Sequence, residues 1–150
     1  MPLFPLNTVL FPGERLPLRI FERRYMDMAS ACLRDQAPFG VCLIREGKEV
    51  GEPATPHEVG TLARIVHWDM EQLGVLQIVA EGGQRFRILE RRVENGLLRA
   101  STELLPVDED SEVLAACAAC VLPLELKQRL LETEGAARLQ RLNEFLSEEV

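Results

Sequence analysis

Residues 15–32, RLPLRIFERRYMDMASAC, change their hydrophobic period half-way along. Leu16, Leu18 and Ile20 alternate with Arg15, Pro17 and Arg19, the period-two pattern of a strand with one buried face. From Phe21 onward the apolar positions Phe21, Tyr25, Met28, Ala29 and Cys32 recur at helical spacing, with Glu22, Arg23, Asp27 and Ser30 between them. The stretch therefore predicts a strand feeding directly into an amphipathic helix, which must end before Pro38. Pro12-Gly13 marks the turn that precedes the strand.

Downstream the strand signal repeats. Gly40 to Ile44 is a continuous apolar run; Val59 to Trp68, Val75 to Ala80, Gln84 to Glu90 and Leu97 to Leu105 are rich in Val, Ile, Leu and Phe. Glu94-Asn95-Gly96 separates the last two runs, and Asn-Gly is a hairpin signal because both residues tolerate positive φ. The polar stretch Arg45 to Glu58 reads as a long exposed loop. Short strands at this spacing predict an α+β, mainly β protein: a pseudo-barrel of mostly antiparallel strands with one inserted helix.

Past Pro106 the strand signals stop. Ser111 caps a predicted helix through Cys120, Pro123 starts a second with a Glu125/Arg129 pair at i,i+4, and Gly135 suits its end. A third stretch sets Leu139, Leu142 and Leu146 on one face and Arg138, Arg141 and Glu144 mostly off it. These faces are expected to cover the barrel or to meet another subunit.

The charge divides at the same place. The chain has 150 residues, 47% of them hydrophobic, and a net charge of −7. Residues 1–106 hold 13 basic and 14 acidic side chains, while residues 107–150 hold 4 and 10. The acidic run Asp108 to Asp110 is thus the expected boundary between a near-neutral barrel domain, 1–106, and an acidic helical extension, 107–150. Composition excludes a disordered or fibrous chain, and at this length a core forms without disulfide or metal. The opening MPLFPLNTVLFP has no basic leader and is interrupted by Pro2, Pro5 and Pro12, so it reads as neither signal peptide nor membrane span. A cytoplasmic location, with reduced cysteines, is the expectation.

Several separate motifs agree on a family. PLFPLNTVLFPG at 2–13, LPLRIFERRY at 16–25, FGV at 39–41, VGTLARI at 59–65 and AEGGQRFRIL at 80–89 resemble, in order and spacing, the Lon protease N-terminal or substrate-binding domain family. LPLELKQRLLE at 122–132 is similar to the helical extension of small stand-alone bacterial members. The resemblance implies a PUA-like pseudo-barrel followed by helices, and a module that recognises protein segments for, or beside, a protease.

The residues add no catalytic plan. A phosphate-cradling G-x-x-x-x-G-K-[ST] would need glycine at Cys42 and Ser or Thr at Glu49, and Lys127 follows Leu126. His57 in the polar loop and His67 near a strand end stand in no nucleophile elbow or metalloprotease helix. Cys117-Ala118-Ala119-Cys120 has the C-x-x-C spacing of zinc or redox sites, but Cys32 and Cys42 are far off in sequence and no βαβ context surrounds it, so it reads as small helix thiols. No enzyme, cofactor or metal is expected.

Two binding readings follow. An exposed apolar grip for protein or unfolded polypeptide falls on Trp68 and Met70, in a His67 to Gly74 connection where polar residues would be usual; the alternative for Trp68 is an anchor at one barrel end. RNA binding, by analogy with other PUA-like domains, would use Arg85, Arg87 and Arg91 on one strand face; its alternative is a solvated arginine face paired with acids such as Glu90 and Glu94, favoured by the charge balance.

Overall fold

The strand Val75–Glu94 is the spine of the protein, and the rest of the sheet assembles along it. A computed structural model describes residues 1–107 and 111–148; the acidic run Asp108 to Asp110, expected as the domain boundary, lies outside the described residues. In chain order the elements are β1 Leu3–Leu6, β2 Arg15–Ile20, α1 Arg23–Asp35, β3 Phe39–Glu46, β4 Thr55–Pro56, β5 Val59–Gln72, β6 Val75–Glu94, β7 Leu97–Leu104, α2 Ser111–Ala119, α3 Leu124–Glu132 and α4 Ala136–Glu148.

One side of β6 pairs with β5 from Val75 to Arg87. The other side changes partner: β2 takes Leu76 to Glu81 and β7 takes Phe86 to Glu94. Gly82 stands at the change. Its N–H donates to Glu14 O and its carbonyl accepts from Gly13 N–H, both at 2.8 Å, while a Cβ there would run into the carbonyl of Phe11. Two consecutive glycines read from sequence as a break between two strands; here Gly82 lets one strand pass under the Pro12-Gly13 turn. The Asn95-Gly96 turn forms as expected, with φ of 53° and 78°.

The sheet runs β1-β3-β5-β6-β2, with β4 beside β3 and β7 beside β6, and it is not closed. β1 lies parallel to β3, the exception to the antiparallel expectation. Its prolines hide it from a strand reading, yet a strand at the sheet margin accommodates them. A bridge from Pro2 to Arg99, with Ala100 N–H donating to Met1 O at 2.9 Å, brings β1 towards β7.

α1 packs on one face of the sheet through Tyr25, Met28, Ala29 and Cys32, against Ile20, Ile78 and Phe39 among others. Burying Tyr25 and Met28 contributes on the order of 2 kcal/mol each. The expected first helical contact, Phe21, is not one: it precedes the helix and is 57% exposed. A second core joins Phe11, Leu43, Val59 and Leu105 of the barrel to Leu114, Leu130, Leu131 and Phe145 of the helices, so the helices cover the barrel. On α4 the inward face differs from the one expected. Arg138, Leu142 and Phe145 are buried, whereas Leu139 and Leu146 are 46% and 40% exposed. The reason is Arg138, which reaches α3 rather than solvent: Nε donates to Leu130 O at 2.8 Å and Nη2 to Thr133 O at 2.5 Å. Among the described residues no helix is long and apolar enough to cross a membrane.

Candidate functional site

Trp68 and Met70 are strand residues rather than loop residues, because β5 continues to Gln72 and the turn is only Leu73-Gly74. Trp68 is opposite Ile78, and Ile78 is opposite Leu18. Directly opposed residues share a sheet face, so Trp68 extends a row whose other members, Ile78 and Leu18, belong to the core under α1. The row outlasts its cover. Ile78 is 2% exposed, but Trp68 is 55% exposed. Trp68 therefore does not act as a buried anchor at the barrel end.

Met70 follows two residues on, about 7 Å along the strand, and is 43% exposed. Leu73, at 96% exposure, caps the hairpin. Sequence reading missed Leu73, although a leucine beside Gly74 (φ 81°) in a two-residue turn, where Asn, Asp or Gly is usual, was a readable signal. Together these side chains make an apolar projection at one end of the sheet. Its chemistry is adhesive: it can bury apolar side chains of a partner and has no group to move protons or form bonds.

The three arginines are not presented together. Arg87 and Arg91 are exposed, but Arg85 is 1% exposed and points into the helical extension. Its Nη1 donates to Leu131 O at 2.8 Å and its Nη2 to Pro106 O at 3.4 Å. The alternation that placed Arg85 with Arg87 is correct, but a bulge between Ile88 and Glu90 turns Arg91, opposite Ala100, to the face of Phe86 and Ile88; the helices packed over that part of the sheet remove Arg85 from solvent. Further along, Glu94 pairs with Arg92 at 3.5 Å and Arg99 at 3.1 Å.

The remaining candidates are dispersed. His57 is not a free loop side chain: it is largely covered and its Nε2 stands 3.9 Å from Glu125 of α3, while His67 is exposed on β5. All four cysteines are free. Burial pushes the thiols of Cys32 and Cys117 up, and that of Cys42 to about 12, so these three are protonated at neutral pH. Among the described residues no group of three or more His, Cys, Asp or Glu side chains is placed to hold a metal ion.

Comparison with known proteins bears on this geometry. The sequence profile of the ATP-dependent protease La (LON) substrate-binding domain matches residues 1–121. The chain belongs to that family. As a Lon substrate-binding domain protein it is similar over nearly its whole length to a solved Lon N-terminal domain protein from Xanthomonas campestris: 30% identity, a TM-score of 0.81, covering 98% of this chain and 96% of that one. Lon protease 1 of Bdellovibrio bacteriovorus is 34% identical over 115 residues, 74% of this chain and 14% of that protein. The Lon protease of Anaeromyxobacter dehalogenans is 31% identical over 130 residues, 85% of this chain and 15% of that protein. This Lon substrate-binding domain protein thus spans about a seventh of the length of these proteases, and the part matched is the substrate-binding domain, not a catalytic one.

Proposed function

We propose that this Lon substrate-binding domain protein is a non-catalytic module that binds protein clients, above all unfolded polypeptide segments, in the cytoplasm, and serves as an adaptor for a protease in protein quality control. The observation that carries the reading is the exposure of Trp68 and Met70: an aromatic left outside a core whose own row it continues, with a half-exposed methionine two residues on. Large aromatics are enriched where proteins bind one another, and Met adapts its shape to varied apolar partners. Family membership supports recognition of protein as the task, since the matching profile is that of a substrate-binding domain.

The test is capture of a reduced, carboxymethylated protein that cannot refold. Replacing Trp68 and Met70 together by alanine should weaken capture by about 30-fold, corresponding to about 2 kcal/mol at a binding hot spot, without moving the unfolding midpoint. Equal capture by the double variant would remove these residues from the site.

A further inference from the structure

The sheet has an open seam, and its β2 border is prepared for one more strand. In an antiparallel ladder, opposed residues either exchange both backbone hydrogen bonds or neither. Pro17 lies opposite Val79 and has no N–H, so this pair exchanges neither. By alternation Arg15, opposite Glu81, and Arg19, opposite Gln77, are of the same kind. The N–H groups of Arg15 and Arg19 and the carbonyls of Arg15, Pro17 and Arg19 therefore point away from β6. Among the described residues β2 has no second strand neighbour to receive them.

Beside this edge is a cavity of about 190 Å³ between β2, β1 and the start of α1. Phe4 and Tyr25 line it as a stacked pair, ring centroids 4.0 Å apart and planes within 9°. Phe21 and Val50 line it too and are 57% and 55% exposed. The loop bearing Val50 is tied to the β1 side, where Asn7 N–H donates to Glu49 Oε1 at 2.7 Å. Arg19, Glu22 and Glu49 also line it, so the cavity has an aromatic wall and a charged rim; an edge with unpaired backbone groups beside such a cavity is the arrangement that accepts an extended peptide by strand addition.

We infer that the β2 edge and the adjoining Phe4–Tyr25 cavity bind an extended polypeptide segment as an added strand, its alternate side chains entering the cavity. The inference rests on the reading of this protein as a polypeptide-binding module and names the mode of binding. Pro17 argues for a foreign segment over a second copy: a peptide loses one donor opposite Pro17, whereas β2 paired with β2 of another copy loses two. Arg15 and Arg19 flanking Pro17 on the exposed edge also disfavour self-pairing.

The test uses the 150-residue chain and a labelled decapeptide alternating valine with threonine or lysine, alongside two versions N-methylated at every second residue in opposite phase. Amide exchange at Arg15 and Arg19, followed by NMR, should slow at least tenfold on saturation. One N-methylated phase should bind at least tenfold more weakly while the other stays within twofold. If the decapeptide binds and Trp68→Ala weakens it, but exchange at Arg15 and Arg19 is unchanged and both phases bind alike, strand addition is overturned and the polypeptide-binding reading stands. Failure of the decapeptide and of a carboxymethylated protein to bind overturns both.

Discussion

The guanidinium of Arg85, on the central strand, donates to the main-chain carbonyl of Leu131 near the C-terminal end of α3 at 2.8 Å. Arg138 of α4 reaches the same end through Leu130 and Thr133. Two buried cations thus converge where the α3 helix leaves carbonyls without intrahelical partners and where its dipole is negative. The barrel and its helical extension are fastened at that point, and the shared apolar core around Phe11 and Leu130 seals the joint.

Replacing Arg85 by methionine keeps much of the side chain's volume but leaves the buried Leu131 carbonyl without this donor. A buried acceptor without its partner costs about 1–3 kcal/mol. In a chain of this length that corresponds to a fall in melting temperature of roughly 2–12 °C. Thermal unfolding measures it, and limited proteolysis should show earlier cleavage in the helices of the variant. An unchanged melting temperature would mean that this bond does not hold the extension.

Much of the fold is legible because local and tertiary preferences agree. The alternation at Leu16, Leu18 and Ile20, the helical spacing of Tyr25 to Cys32 and the Asn95-Gly96 turn each read correctly. The readings that differ involve partners distant in sequence. Arg85 looks like a solvent-facing residue until helices some 40 residues later cover it. Arg138 looks like a polar-face residue until α3 offers it carbonyls. β6 looks like two strands because nothing local says that the turn after Pro12 will cross at Gly82. Of the candidate site, Trp68 and Met70 were visible as apolar residues out of place, whereas the free edge of β2 depends on which strands pair and could not be read locally.

The two glycines of β6 give a paired prediction. Gly82→Ala sets a methyl group against the backbone carbonyl of Phe11, which cannot move without the whole turn. Gly83→Ala meets nothing closer than 3.6 Å, the Leu62 carbonyl. The first should cost about 3 kcal/mol, at the upper end of overpacking penalties, and the second less than about 1 kcal/mol. Urea unfolding of the two variants separates them; equal costs would mean that the Phe11 carbonyl yields readily at the crossing.

Alkaline stability should depend on Cys42. Burial raises its thiol from 9.0 to about 12, so between those values the unfolded chain releases a proton that the folded chain keeps. Stability is then unaffected by this thiol below pH 9 and falls above it, approaching about 1.4 kcal/mol per pH unit until pH 12. Tyr25 adds to the same slope above pH 10, since burial raises its hydroxyl also. Cys42→Ala should flatten the dependence between pH 9 and 10 relative to the native chain, as read from urea midpoints across that range. An unaltered slope in the variant would assign the effect to other groups. At pH 8 a bulky thiol reagent should label Cys120, the partly exposed cysteine, well before the buried Cys42.

Trp68 is the chain's one tryptophan, which makes the proposed grip report on itself. With its side chain more than half exposed, its emission should be red-shifted like that of an indole in water, and acrylamide should quench it efficiently. Unfolding in urea should then change the emission wavelength little, unlike the red shift given by a core tryptophan. Adding a carboxymethylated polypeptide should shift the emission to the blue and shield it from acrylamide, because burial of the ring against apolar side chains removes the water around it. Met70→Ala should reduce the shift without abolishing it, since the methionine adds contact area beside the ring. If the free protein already emits in the blue, the ring is covered in solution and the grip is not available. If emission is red and stays red at polypeptide concentrations that saturate binding, the client docks elsewhere.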